Sequence, residues 1–345
     1  MVIHLNQVLS HYDIGEPCGA RPVERGFVNE NWRIETSLGT YFLKHYHPSL
    51  CHPEIIRAQH ALIAHLQRAG FPAPTIMPTT GGHTLLALGD ELYEVQTYIA
   101  GTFYDHERIA HFEEAARTLG RYHACVESFP PALQNLGELY SPAVLHANLA
   151  ALIAAWEIER DPELDQMARR LAAHADDLAA RFAAHGALPH LVIHGDYYAD
   201  NLIFEGDYIT GVVDYDKARW QPRVVELAET LIYFASPRPG HLKHLVYTGI
   251  LGWAPFERFL RTYASVVSLA ENEIRALPDY VRCIWLQISL QRLWEKGTRP
   301  SEAAEALQEA LTLGDWAKAS ERRMVEIAQS TNSCHPVTFL LKTGM

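Results

Sequence analysis

Long apolar runs are missing from this chain of 345 residues. No stretch approaches the ~20 consecutive apolar residues that a membrane-spanning helix needs. Cysteine is scarce: Cys18, Cys51, Cys125, Cys283 and Cys334 are scattered, odd in number and contain no C-x-x-C pair. That argues against a disulfide framework and for reduced thiols in a cytoplasmic protein. The opening Met1-Val2-Ile3-His4-Leu5-Asn6 lacks the basic segment followed by an apolar one that marks a secretory signal. Positive charge is in deficit, with 29 Lys and Arg against 41 Asp and Glu, a formal net charge of -12 and a pI of about 5.9. An acidic surface argues against a general nucleic-acid binder or an anionic-membrane binder, and is compatible with a cationic substrate. No internal repeat is visible.

What is present is a chain that can bury a core. Hydrophobic residues make up 48% and charged residues 20%, a balance that excludes a mostly disordered protein. The length suggests about two domains or lobes.

The first hundred residues read as sheet with one clear helix. Trp32-Arg33-Ile34-Glu35-Thr36 alternates as a half-buried strand does, Ser37-Leu38-Gly39 supplies a turn, and Tyr41-Phe42-Leu43-Lys44 is the returning strand. Pro53 opens a helix to about Ala69, where Gly70 stops it and Pro72 and Pro74 prevent its return. Thr80-Gly81-Gly82 reads as a hairpin turn between Thr75-Ile76-Met77 and Thr84-Leu85-Leu86, and 92–99 as a further strand. After Gly101 the pattern becomes helical: an amphipathic helix over 107–126, two Ala-rich helices over 143–185, and helices again to about residue 328. Between them lies a compact strand–loop–strand unit over 191–213. The expected boundary puts one lobe at 1–99 and the other at 100–345.

That unit carries the chemistry. It reads His194-Gly195-Asp196-Tyr197-Tyr198-Ala199-Asp200-Asn201, then Leu202-Ile203-Phe204, a turn at Glu205-Gly206-Asp207, and Ile209 to Asp214. Phosphoryl transfer needs oxygen ligands for Mg²⁺ and a carboxylate beside the attacking hydroxyl. A single loop holding Asp196 and Asn201, with Asp214 at the end of the next strand, can supply both. An isolated His-Gly-Asp is no more than a turn; the Asn at that spacing and the second Asp distinguish this one.

The segment resembles the H-x-D-x-x-x-x-N catalytic loop and metal-binding aspartate of protein kinases. With Val-Val-Asp-Tyr-Asp following, it is similar to the aminoglycoside phosphotransferase and choline kinase superfamily, to which type II homoserine kinases belong. The resemblance implies an α+β, bilobal, protein-kinase-like fold with a small sheet-rich N-terminal lobe and a larger, mostly helical C-terminal lobe. It implies an ATP- and Mg²⁺-dependent kinase acting on a hydroxyl of a small molecule: an amino alcohol such as homoserine, a choline-like compound, or an aminoglycoside or sugar. Neither nucleic acid nor membrane is an implied partner. Asp196 would orient the hydroxyl as catalytic base, Asn201 and Asp214 would hold the metal, and His194 would brace the loop. Lys44 is similar to the lysine that contacts the α- and β-phosphates. Gly26, Asn29 and Asn31 lie in a stretch similar to the Gly-x-x-Asn turn over the phosphates, and Gln96, Tyr98 and Ile99 match the interlobe hinge facing adenine.

Departures from the pattern matter. Where the family has a helix glutamate paired with the lysine, this chain has Gln59, with Glu54 as the other candidate; the substitution leaves open an inactive nucleotide-binding regulator. Glu226-Leu227-Ala228 replaces the usual Asp-Leu-Ala. Asp216 reads as an exposed loop charge, with help to the metal as the alternative, Asp200 as a solvated or substrate-side carboxylate, and His123 as a buried structural histidine. His45, His47, Cys51 and His52 match no zinc spacing. A protein Ser/Thr kinase would need an activation segment, for which the interval from Asp214 to Pro222 leaves little room.

Overall fold

In a computed structural model of the protein, residues 2–23, 29–50, 52–236, 250–295 and 300–332 are described. The chain opens with helix α1 (Val2–Leu9) and strand β1 (Pro17–Pro22), neither of which the sequence pattern announced. β2 (Glu30–Thr36) and β3 (Gly39–His45) form the expected hairpin, with Thr36 opposite Gly39 across the turn. α2 (Pro53–Arg68) starts at its proline and buries Ile56, Leu62, Ile63 and Leu66. β4 (Ile76–Met77), β5 (Leu86–Leu88) and β6 (Glu91–Thr97) complete an antiparallel sheet of order β1-β2-β3-β6-β4, with β5 also on β6.

The expected hairpin across Thr80-Gly81-Gly82 is corrected here. β4 and β5 each pair with β6 and not with one another. The Gly82 N–H does close a turn on the Thr79 carbonyl, but Thr79 bridges back to Tyr12. Two short apolar strands flanking a glycine turn satisfy the hairpin pattern; the longer β6 offers each of them a better partner.

Alternation along β3 divides the sheet's two faces. Tyr41 and Leu43 pack with Val8, Leu9, Tyr12, Ile14, Ile34, Tyr93 and Val95, so α1 and its loop cover one face. Phe42 and Lys44 point to the other face, where α2 lies.

β7 (Thr102–Phe103) leads into α3 (Ile109–Val126), then α4 (Pro142–Trp156) and α5 (Pro162–Ala184). α5 is capped by Asp161, whose side chain accepts from the N–H groups of Glu163 and Leu164. β8 (His190–Ile193) and β9 (Leu202–Glu205) flank the loop of interest. β9 pairs with β10 (Tyr208–Val212) and β7, while β8 pairs with β11 (Arg219–Pro222). Each side of the loop is thus anchored in a different small sheet. α6 (Arg223–Ala235), α7 (Trp253–Ala264), α8 (Glu271–Glu295) and α9 (Pro300–Asn332) follow. The main core runs through α3, α6, α7 and α8 beneath the loop, and a second cluster joins α4, α5, α8 and α9. Among the described residues no helix is long and apolar enough to cross a membrane.

Candidate active site

Lys44 is buried, on the sheet face turned to α2. Its Nζ lies 2.7 Å from Asp216 Oδ1, 3.6 Å from Asp214 Oδ1 and 4.0 Å from Glu94 Oε1. Burial alone would lower the lysine's pKa; the carboxylates of Asp216, Asp214 and Glu94 outweigh it and raise it. Neither Gln59 nor Glu54 takes the place of the helix partner. Gln59 Nε2 donates instead to the main-chain carbonyl of Asp216 at 2.9 Å, and Glu54 is exposed in the first turn of α2. The carboxylate comes from the neighbouring strand: Glu94 stands directly across the β3–β6 ladder from Lys44.

Glu94 is itself enclosed. Tyr46 donates its hydroxyl to Glu94 Oε2 at 2.6 Å, His60 Nε2 lies 2.6 Å from the same oxygen, and Gln96 Nε2 donates to Oε1. Burial pushes the carboxyl up, but His60, Lys44 and Tyr46 hold it down at about 2. An ionised carboxylate this deep persists because both of its oxygens have hydrogen-bond partners and a lysine lies nearby.

The loop from His194 to Asn201 is held from several sides. Gly195 has φ +76°, and a Cβ there would lie 2.4 Å from the Lys217 carbonyl, so only glycine fits. The Gly195 N–H donates to Glu226 Oε1 at 2.7 Å. Glu226 Oε2 meets His123 Nε2 at 2.9 Å, and His123 Nδ1 meets the Tyr263 hydroxyl at 2.7 Å. Glu226 thus braces the loop from α6, and His123 is buried in its support. His194 Nε2 donates to the Val213 carbonyl at 3.1 Å, while its Nδ1 accepts from the Asp196 N–H at 3.3 Å. That pattern needs the neutral ring, and burial lowers its pKa accordingly. Tyr197 is fully packed, and its hydroxyl donates to the Ala115 carbonyl on α3 at 2.9 Å.

Asp196 is buried at the end of this scaffold. Asn201 Nδ2 donates to the Asp196 carbonyl at 2.8 Å and to its Oδ2 at 3.2 Å. Lys217 Nζ reaches Oδ1 at 2.7 Å. Burial raises the Asp196 pKa, opposed by Lys217. Asp214 follows β10 with φ +69°, a left-handed backbone uncommon for a non-glycine residue. Its side chain is 43% exposed. Asp216 is pulled in: Asn29 Nδ2 donates to its Oδ2 at 2.7 Å, and burial, with the nearby Asp214 and Glu94 charges, lifts its pKa to about 6 against Lys44. The sequence reading of Asp216 as a solvated charge is therefore corrected.

The residues expected to hold the metal have the chemistry a hard cation needs. With Asn201 Nδ2 committed to Asp196, the amide oxygen is the end left to bind, and Asp214 and Asp216 add carboxylate oxygens. Among the described residues no group of three or more His, Cys, Asp or Glu is arranged to hold a metal by itself.

The other anticipated residues are more dispersed. Gly26 lies outside the described residues, as does Cys51 of the His/Cys stretch. Asn29 ties the segment carrying Asp216 to the chain after β3, since its Oδ1 also accepts from the His47 N–H at 3.0 Å. Asn31 stands opposite Lys44 on β2. The Gln96 side chain is spent on Glu94. The Tyr98 N–H bonds the Thr40 carbonyl at 3.2 Å, and its ring lies under the Arg33 guanidinium, 4.8 Å away. Ile99 sits so close to Gly211 on β10 that a Cβ there would come within 2.9 Å of it. Sequence reasoning missed Glu94 and Lys217. Nothing local marks either one; Glu94 becomes visible only once β3 and β6 are put in register.

A model of the phosphotransferase enzyme family matches residues 19–259. The chain belongs to the phosphotransferase enzyme family. Among curated relatives of this phosphotransferase are the homoserine kinases of Brucella ovis, 26% identical over 302 residues (87% of this chain, 86% of that protein), and of Parvibaculum lavamentivorans, 26% identical over 299 residues (87% of each). Solved structures share the fold: an amicoumacin kinase bound to AMP-PNP and Ca²⁺ (TM-score 0.65, 14% identity, 93% of each chain) and a microcompartment-associated aminopropanol kinase (TM-score 0.62, 15% identity, 96% of this chain and 99% of that one). The protein is a small-molecule kinase with the α+β, protein-kinase-like fold.

Proposed function

We propose that this phosphotransferase moves the γ-phosphoryl group of ATP, with Mg²⁺, to the hydroxyl of a small amino alcohol or hydroxy amino acid, homoserine being the leading candidate. One observation carries the reading: Lys44, Asp214, Asp216 and the Asp196–Asn201 loop converge from separate elements into one connected cluster. The acceptor class is supported by the homoserine kinases among its relatives and the aminopropanol kinase among its structural neighbours.

Asp196 orients the acceptor hydroxyl and receives its proton. Lys44 meets the α- and β-phosphates, with Glu94 as its counter-ion. Asn201 and Asp214, with Asp216 beside them, would hold the Mg²⁺, which would supply charge neutralisation at the phosphate oxygens. Gly26, Asn29 and Asn31 belong to the phosphate cover, and Gln96, Tyr98 and Ile99 to the adenine edge of the cleft. Lys217 places a positive charge at the base, where the transferring group arrives. Residues 1–99 form the nucleotide lobe and 100–345 the catalytic and acceptor lobe; the protein is assigned to the cytoplasm. Catalysis is then positioning and charge stabilisation, with no covalent intermediate.

The inactive-regulator reading rested on Gln59, and Glu94 removes that support. A protein-kinase reading lacks room for an activation segment, since β11 already begins at Arg219. The test is ADP release with Mg²⁺ and homoserine, ethanolamine, 1-amino-2-propanol, choline or an aminoglycoside. Asp196→Ala is expected to lower turnover at least ~10²-fold. Unchanged turnover in that variant would overturn the assignment.

A further inference from the structure

Where the start of α8 and the later half of α9 meet the end of α5, the three helices leave a cavity of about 630 Å³. Sites for small molecules fall in the range of ~300–1,000 Å³. None of Lys44, Asp196, Asn201, Asp214 or Asp216 lines it, so it is separate from the cluster described above.

Two of its lining side chains are buried and unsatisfied. Asp279 and His185 are 3% and 9% exposed. Asp279 Oδ1 accepts from Arg181 Nε at 2.6 Å. Asp279 Oδ2 and His185 Nε2 stand 3.2 Å apart without the geometry of a hydrogen bond, and among the described residues neither buried atom has a hydrogen-bond partner. Leaving such atoms unbonded costs stability. An ammonium group carries three donors, enough to serve the carboxylate oxygen and the lone pair of a neutral imidazole together.

The exposed part of the lining has the opposite sign. Arg275, Lys318 and Arg322 line the same cavity. Arg275 Nη1 is 3.7 Å from Glu271 Oε1, and Lys318 Nζ is 3.5 Å from Asp177 Oδ1. Arg322 Nε meets Glu326 at 2.7 Å, one turn along the same exposed helix face. Exposed pairs of this kind contribute little, so an arriving carboxylate can draw all three cations. The remaining charges of the lining are committed, Arg181 being tied to both Asp279 and Glu321.

We propose that this cavity binds a small zwitterion of the α-amino acid class, with its ammonium at Asp279 and His185 and its carboxylate among Arg275, Lys318 and Arg322. The site is not the acceptor site, and the proposal does not depend on the kinase reading.

Isothermal titration calorimetry of the full chain tests it, with the proteinogenic L-α-amino acids added singly at millimolar concentration. At least one is expected to bind, while its decarboxylated amine and its 2-hydroxy acid analogue do not. Arg275→Gln combined with Lys318→Gln, both exposed and outside the catalytic cluster, is expected to weaken that binding about tenfold or more. Asp279→Asn, which keeps an acceptor for Arg181, is expected to weaken it by a similar factor, with urea unfolding to show that each variant is folded. Asp196→Ala is expected to leave the affinity unmoved. The proposal is overturned by the absence of binding, by equal binding of the amine or the hydroxy acid, or by an affinity that Arg275→Gln with Lys318→Gln does not change. Loss of binding in Asp196→Ala would put the ligand in the acceptor site and overturn it as well.

Discussion

Replacing Glu229 by Gln should change how stability depends on pH, and the size of the change follows from the burial of its carboxyl. Burial raises that carboxyl from its ordinary 4.5 to about 7, with Asp196 and Glu226 adding repulsion and Tyr140 and Lys217 opposing. At acid pH the group is protonated in both folded and unfolded chains, and its burial costs nothing through ionisation. As pH rises past 4.5 the unfolded chain releases the proton and the folded chain keeps it, so stability falls until the folded carboxyl ionises near pH 7. A shift of this size corresponds to about 3 kcal/mol lost between pH 4.5 and 8. Gln cannot ionise but can still accept from Tyr140 and Tyr233, so Glu229→Gln should gain about 3 kcal/mol on the wild type across that interval. Urea unfolding of both proteins at pH 5, 6, 7 and 8 measures it. Parallel stability curves would mean that the carboxylate ionises at its ordinary value, and would refute the argument that burial raises it.

Two further substitutions probe the scaffold. Glu94→Gln leaves Lys44 with Asp214 and Asp216 but removes the partner across the strand, and should raise KM for ATP by about 10- to 100-fold; steady-state kinetics with Gln59→Ala alongside decides whether strand or helix positions the lysine, and a larger effect from Gln59 would reject the strand. Gly195→Ala puts a Cβ 2.4 Å from the Lys217 carbonyl at φ +76°, and should destabilise the fold by about 2–4 kcal/mol while displacing Asp196; a variant as stable as the wild type in urea, with normal turnover, would contradict the close approach.

Much of this was legible in the chain because the signals were local. Pro53 and Gly70 bound α2, the alternation from Trp32 to Lys44 marked a hairpin, and the His194–Asn201 spacing announced the loop. The α+β, kinase-like architecture followed from that resemblance. What stayed hidden was set by tertiary contacts. β4 and β5 looked like partners until β6 claimed both. Glu94 reads as one polar residue in a strand until the ladder brings it across from Lys44. Nothing in the sequence singles out Glu229, whose burial follows from an α6 that is buried nearly all round. Asp216 was misjudged because its burial depends on Asn29 and Lys44, distant in sequence.

The position of Glu94 also bears on control. Kinases that draw the lysine's counter-ion from a helix can be silenced by swinging that helix away. Here Lys44 and Glu94 are neighbours in one antiparallel ladder, at a spacing set by main-chain hydrogen bonds. A rotation of α2 would release the Asp216 carbonyl from Gln59 and the carboxylate from His60, but it would leave the Lys44–Glu94 pair assembled. Swinging α2 would therefore leave Lys44 beside its strand carboxylate, so a helix swing is not a route to silencing this enzyme.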